Sequence, residues 1–350
     1  CGTDTLTDKI EPTTGTAGDD TISGVVDSGD DSTFQNGDTI NGGDGTDRLD
    51  VILDDASSPA GASVSSVEQV FARNVSESLT TVSAASFEGV EELWNSQSTA
   101  GSDVTFENVG SNAILGVQNT ATNTEIGFTS TVLSGKDDTV TVALDGAAGG
   151  NVTISDGAEA LAVISGGDAA NKLGTVDGGS AETLTITGDQ DLKFTSTDDS
   201  VETVDAKDLE GALTAGLVSA GDDNDITVTG SAQNDSFTFG DLDDDDTIDG
   251  GDGEDSVTAA TLAGTTLENV ESLTLKQNAT TVDLDLKNAQ DVTEVTVENQ
   301  NAAIDTLDLD NLGDGASVTV NTDKDITINS GSTLQTDDGG SGDLALAFTG

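Results

Sequence analysis

The sequence predicts an all-β chain wound as a parallel β-solenoid. Three observations predict it. Apolar residues recur at every second position in short runs. Gly, Asn and Asp interrupt almost every gap between runs. The runs return at a spacing of roughly 20 residues. They include Val140-Thr-Val142, Val152-Thr-Ile154, Leu184-Thr-Ile186, Leu273-Thr-Leu275, Val295-Thr-Val297, Leu307-Asp-Leu309, Val318-Thr-Val320 and Ile326-Thr-Ile328. Alternation with β-branched partners marks a strand with one buried face, and the Gly, Asn and Asp gaps supply turns. No segment carries the apolar period of an amphipathic helix.

Composition narrows the function. The chain has 350 residues, with 67 acidic against 10 basic side chains, a formal charge of −57. Such a chain does not hold nucleic acid by neutralising phosphates. No apolar run is long enough for a membrane span. With no His and one Cys, a zinc site of the usual kind and a Ser-His or Cys-His nucleophile pair are excluded. High charge and few aromatics point toward disorder, but apolar residues make up 33% of the chain and are ordered into strands rather than scattered.

The spacing between runs gives the winding. Val67-Glu-Gln-Val70 returns as Val90-Glu-Glu-Leu93, and Leu273-Thr-Leu275 returns as Val295-Thr-Val297. Units of this length cannot bury a face alone and must stack on the next, with Thr and Asn in ladders between coils. The alternative is a string of tandem β-sandwich domains, which have turn signals at shorter spacing.

The acids are not spread evenly. Asp concentrates in Gly-rich turns, and hard oxygen ligands on flexible turns suit calcium. The competing explanation is a halophile's hydration-seeking surface, which spreads its acids, whereas a cation site clusters them at fixed offsets. Residues 42–50 read Gly-Gly-Asp-Gly-Thr-Asp-Arg-Leu-Asp and residues 250–258 read Gly-Gly-Asp-Gly-Glu-Asp-Ser-Val-Thr. Each has Gly at positions one, two and four, Asp at six and a large apolar residue at eight. The glycines allow a tight turn, Asp47 and Asp255 offer carboxylates, and Leu49 and Val257 begin a core-facing strand. Weaker copies in the same frame give Asp20 before Ile22, Asp38 before Ile40, Asp235 before Phe237 and Asp246 before Ile248. The candidate metal residues are therefore Asp20, Asp38, Asp47, Asp235, Asp246 and Asp255, with Gly42, Gly43, Gly45, Gly250, Gly251 and Gly253 forming the two full turns.

The segment after each cluster repeats too: Val67-Glu68 and Val270-Glu271 each precede a strand. The expected organisation is a lead strand at 1–14, a first unit at 15–229 and a second at 230–350, each unit with a turn cluster and then a strand array.

These turns and the long Thr, Val, Asn and Gly arrays resemble RTX-type calcium-binding bacterial surface proteins. Among these the chain looks most similar to S-layer proteins and large repeat adhesins secreted by Gram-negative bacteria. The resemblance rests on the two clusters; the remainder matches by composition and rhythm. It implies Ca²⁺ as cofactor, folding on meeting extracellular calcium, a cell-surface location, and Asp47 and Asp255 as position-six ligands. Because Gly24–Ser32 interrupts the first cluster, isolated ions stapling coils fit better than a long calcium-filled roll.

The expected function is an extracellular structural protein that self-assembles into a surface layer, matrix fibre or adhesin stalk. Its partner is itself, with a cell-surface glycan or lipopolysaccharide as a second candidate partner. An adhesin module binding a surface glycan and a carbohydrate-active β-helix enzyme are the alternatives. A flat Thr ladder favours ligand binding, a groove with Arg73 and clustered acids favours an enzyme, and neither favours assembly. Phe71 and Trp94 read as core, and Arg48 as facing solvent. Cys1 fits either a lipidation site or the edge of an upstream segment. Four glycosylation sequons begin at Asn74, Asn151, Asn234 and Asn278. The strand with Leu344, Leu346 and Phe348 caps the molecule or joins the next copy.

Overall fold

The structure, a computed structural model, describes the chain except Cys1, Asp30, Ala56, Asp198, residues 219–224, 278–280, 300–305, 313–315, 323–333, 337–344 and Gly350. It divides into two compact units, Cys1–Phe194 and Thr195–Gly350. Among the described residues there is no helix, hence none long and apolar enough to cross a membrane. The strands are stacked in parallel as coils of a β-solenoid. Seven of the eight alternating runs read from the sequence lie in strands, and Ile326–Ile328 falls outside the described residues.

In the first unit, strands Thr21–Asp27, Arg48–Asp54, Gln69–Asn74, Glu92–Ser96, Ile114–Gln118, Thr139–Asp145, Val152–Gly166 and Thr175–Gly188 stack in register. Register places Ile22, Leu49, Val70, Leu93, Leu115, Val142, Val163 and Ile186 in one inward column. All eight are buried. The second unit has the same device, with Ala215, Phe237, Val257, Leu273, Val295 and Val318 in register and buried. Tandem sandwiches need antiparallel neighbours. Parallel pairing across roughly 20 residues requires a crossover, which one turn of a solenoid supplies.

Corners demand special backbone. Gln97 (φ 54°), Asn119 (φ 49°), Gly146 (φ 69°) and Gly167 (φ 90°) occupy equivalent corners of successive coils, all left-handed. Gly and Asn are the residues that adopt this region most readily. Buried amides tie corners together. Asn74 donates through Nδ2 to the carbonyls of Ser78 at 2.6 Å and Asp103 at 2.8 Å. Asn95 donates to Thr122 Oγ1 at 3.0 Å and Thr124 Oγ1 at 2.7 Å. The Asn74 sequon is therefore closed to glycosylation in the folded chain, because Asn74 is fully buried.

The two outermost strands each pair within the chain. Thr3–Thr5 pairs with Thr21–Ser23, and Leu6 is buried beside it. Ala345–Thr349 pairs with Ser317–Asn321, while Leu344 lies outside the described residues.

Close stacking makes some glycines obligatory. A Cβ on Gly150 would sit 1.9 Å from the Thr122 carbonyl oxygen of the coil before, whereas one on Gly110 would meet nothing within 4 Å. Gly150→Ala is expected to destabilise the fold by roughly 2 kcal/mol or more, as overpacking against backbone does. Gly110→Ala should be neutral or slightly stabilising. Chemical denaturation of the two variants checks this, and equal effects would contradict the stacking geometry.

Candidate functional site

All six aspartates found by spacing sit at coil corners, and all six are buried. Each accepts, through Oδ1, the backbone N–H at the equivalent position of the preceding coil. Asp47 takes the N–H of Asp20 at 2.7 Å, and Asp20 takes that of Gly2. Asp255 takes the N–H of Asp235 at 2.6 Å, and Asp235 takes that of Leu213 at 2.6 Å. Asp246 takes the N–H of Ile226 at 2.8 Å, and Asp38 takes that of Glu11 at 3.4 Å. Regular strand pairing begins one residue later, so the carboxylate extends the ladder around the corner.

The second oxygen separates the six. In Asp20, Asp38, Asp235 and Asp246, Oδ2 accepts a backbone N–H three or four residues upstream, from Thr16, Gln35, Ser231 and Asp243 respectively. In Asp47 and Asp255 the residue four upstream is Gly43 or Gly251, at φ 108° or 97°. Their N–H groups turn instead to Asn41 Oδ1 at 3.0 Å and Asp249 Oδ1 at 3.1 Å. Oδ2 of Asp47 and of Asp255 is left buried with no hydrogen-bond partner. The two full copies of the turn thus differ from the four weak ones in leaving one carboxylate oxygen orphaned each.

The glycines of the full turns follow from geometry. A Cβ on Gly42 or Gly250 would lie 1.9 or 2.1 Å from the carbonyl oxygen of Ser66 or Asn269. Gly43, Gly45, Gly251 and Gly253 all have positive φ. Each turn also gains an acid that spacing alone did not single out. Glu68 Oε2 accepts the N–H of Asp47 at 2.7 Å, and Glu271 Oε2 accepts that of Asp255 at 2.7 Å. The repeated Val-Glu pair carried that signal. A cleft of about 280 Å³ beside the second turn is lined by Glu254, Asp255, Glu271, Thr293 and Glu294.

Electrostatics follow the same division. Burial pushes Asp47 above the ordinary carboxylate range, with Glu68, Asp20 and Asp19 adding repulsion. Burial pushes Asp255 up to about 6, and Asp235, Glu271 and Asp249 add to the rise. Burial also raises Asp235 and Asp246. Asp20 is lowered, chiefly by the Thr16 N–H. A buried anionic oxygen without a donor calls for a proton or a cation. Asp47 with Glu68, and Asp255 with Glu271, offer oxygen donors only, the kind a hard divalent ion takes. Asp243, Asp244 and Asp245 also lie together, but two of the three are exposed.

A second feature lies on the outward face of the first unit. Phe71 and Trp94 lie on the side of the strand opposite the core column, because Val70 and Leu93 take the inward positions; Phe71 is buried there, as expected from sequence, whereas Trp94 is half-buried rather than core. Their rings stack at 5.5 Å with 4° between planes, and the Arg48 guanidinium lies 3.6 Å over Phe71. Arg48 Nε also pairs with Asp50 at 2.5 Å. Trp94 donates Nε1–H to Glu92 at 2.7 Å and lies against Gly116, where a Cβ would clash with its ring. Beside the stack is a cleft of about 380 Å³ lined in part by Arg48, Phe71, Arg73, Gln97 and Gln118. On the second unit, Thr238, Thr258, Thr274, Thr296 and Thr319 are in register on the corresponding face, a flat Thr ladder. Cys1 and Asn278 lie outside the described residues.

The raised Asp255 predicts a pH dependence. A carboxyl with a higher pKa folded than unfolded favours folding when protonated; the benefit is complete below about pH 4 and lost as pH rises through about 6. A rise from 3.8 to about 6 corresponds to on the order of 3 kcal/mol. In chelator, Asp255→Asn should therefore gain roughly that much stability relative to wild type between about pH 4 and pH 7.5. Denaturation at both pH values checks it, and a difference that stays constant contradicts it.

No protein-family model matches the chain, and no curated protein matches it.

Proposed function

We propose that this protein is an extracellular structural protein, stapled by calcium at its Gly-Asp turns, that assembles with its own copies into a surface layer or matrix fibre. The observation that carries the proposal is the pair of buried, orphaned carboxylate oxygens at Asp47 and Asp255. They occur at the only two complete copies of the turn read from the sequence, and in both an acid from the next coil, Glu68 or Glu271, is hydrogen-bonded beside them. Asp47 with Glu68, and Asp255 with Glu271, would hold the ion. Calcium supplies two positive charges there and relieves repulsion among the corner acids. Asp20, Asp38, Asp235 and Asp246 already close on protein N–H groups and act first as brackets. A net charge of −57 opposes the close approach of copies, so assembly should need more calcium than folding.

The arginine cleft itself does not favour glycoside hydrolysis. Asp50 is the acid in its lining, and it is paired with Arg48. Glycoside hydrolysis commonly uses two carboxyl groups across the bond. The second reading is a module that binds a surface glycan. The Thr ladder and the cleft favour it, and it is compatible with calcium stapling.

Thermal unfolding in calcium, magnesium and chelator tests the main reading. Calcium at about a hundredfold over its dissociation constant should add on the order of 3 kcal/mol per site. Magnesium should do little, because it holds its waters and demands a tight octahedron. Asp47→Asn and Asp255→Asn should each reduce the calcium gain, and Asp137→Asn, an exposed acid, should leave it intact. Equal stability in calcium and chelator would sink calcium stapling. Electron microscopy of calcium-loaded protein should show ordered sheets or fibres, and a monodisperse monomer would sink the assembly role.

A further inference from the structure

We propose that the cleft on the outward face of the first unit binds a carboxylate-bearing sugar residue of a sparsely charged polysaccharide, with Arg73 as the anion-recognising group. This deepens the glycan-binding reading and does not depend on the calcium sites.

Charge placement is the first argument. The chain contains two arginines, and both line this cleft. Arg48 is committed to Asp50 and to the Phe71 ring. Arg73 is exposed; its Nε donates to the Gln97 carbonyl at 3.2 Å, and it forms no ion pair among the described residues. That bond orients the guanidinium and leaves its outer edge for a carboxylate, the planar partner that Arg binds through two parallel bonds. On a surface of net charge −57, exposed anions are repelled elsewhere. The repulsion acts on every charge of the ligand, so a polyanion is disfavoured and a saccharide with occasional acids is selected.

The lining supplies the rest of a sugar's chemistry. Ile52, 39% exposed, offers an apolar patch for the C–H face of a ring, above a Phe71 ring held between Arg48 and Trp94. Ser23 and Gln97 offer groups for hydroxyls. About 380 Å³ accommodates one or two pyranose rings, within the range of ordinary ligand sites. One wall exists because the chain departs from its repeat. The segment that interrupts the first turn cluster brings Thr33 back onto Val25, with Thr33 N–H to the Val25 carbonyl at 2.8 Å and Val25 N–H to Thr33 Oγ1 at 2.9 Å.

The duplicated architecture provides the internal comparison. Measured from the corner acids, the second unit has Ser256, Thr274 and Thr296 where the first has Arg48, Phe71 and Trp94. Small hydroxyl residues thus serve the coil equally well at those positions. The arginine–aromatic face is an addition that winding does not require.

Isothermal titration of the full chain in calcium tests the proposal, with two probes: an aldobiouronic acid (one glucuronate and one neutral sugar) and cellobiose. The acidic disaccharide should bind and cellobiose should bind at least tenfold more weakly. Arg73→Gln should weaken the acidic probe about tenfold or more, the loss of one charge-assisted bidentate contact. Lys207→Gln, which removes a cation from the second unit, should change nothing. Circular dichroism confirms that the exposed Arg73→Gln variant folds. Equal binding of both sugars overturns the acidic assignment while keeping a glycan site. Binding indifferent to Arg73→Gln overturns the cleft, as it would if calcium at the acidic turns bridged the sugar. No binding of either probe overturns both the inference and the glycan reading and leaves calcium stapling untouched.

Discussion

A parallel stack of coils satisfies its backbone strand by strand, and the corners are where that ladder fails. At six corners an N–H of the preceding coil meets a carboxylate in place of a strand carbonyl, and a buried donor left unpaired would cost as much as a lost hydrogen bond. The corner aspartate answers this. Its Oδ1 reaches one coil back to the orphan N–H, as in Asp47 to Asp20 and Asp255 to Asp235. The spacing of each Asp two residues before a large apolar residue comes from that contact. If Asp sits at the corner with its carboxylate buried, the next residue faces out and the one after faces in. Arg48 then Leu49, and Ser256 then Val257, obey this. The recurring motif is thus first of all a stacking device.

Once carboxylates hold the corners, charge becomes the governing difficulty. Four of the six share their negative charge with two or more donors. Asp47 and Asp255 do not, because their glycines rotate the nearest N–H away toward Asn41 and Asp249. A single sequence feature, the second Gly of the pair, both permits the tight approach of coils and removes a donor. The stack keeps these two oxygens buried without a donor, a charge that a proton relieves at low pH and that the proposed calcium would relieve above it. The elevated titration of Asp255 expresses the same fact as the orphaned oxygen. On the proposed calcium reading, proton and cation would compete for one position.

Most of the winding was legible in the sequence, since alternation fixes strands and equal spacing fixes coils. The inward column from Ile22 to Ile186 follows from both. The six corner aspartates were legible from offset alone, but their roles were not, because a nonapeptide frame does not say where each oxygen points. Glu68 and Glu271 were visible as a repeat and unread as partners of Asp47 and Asp255. Trp94 was misplaced, and the outward side of the buried Phe71 went unread, for a definable reason. Val70-Phe71-Ala72 is apolar throughout and has no phase of its own. The phase comes from the corner acid: counting from Glu68 puts Val70 in, Phe71 out, Ala72 in and Arg73 out, and counting from Glu91 puts Leu93 in and Trp94 out. The cleft depends on the Thr33 return and on ring stacking across coils, both tertiary facts.

The two units separate what winding demands from what it leaves free. Shared features trace to the stack: the corner acid, the aliphatic column, and the glycines pressed against the next coil's carbonyl. Features present in one unit alone need another cause. An outward Phe and Trp gain some stability from stacking on each other and from the Arg48 guanidinium. Yet the second unit holds its coils with threonines in that column, so the stack has no need of rings there. The same holds for the Thr33 return, since a coil closes with fewer residues. Both arginines and a chain excursion line one hollow beside the Phe71–Trp94 stack, and winding alone requires none of these.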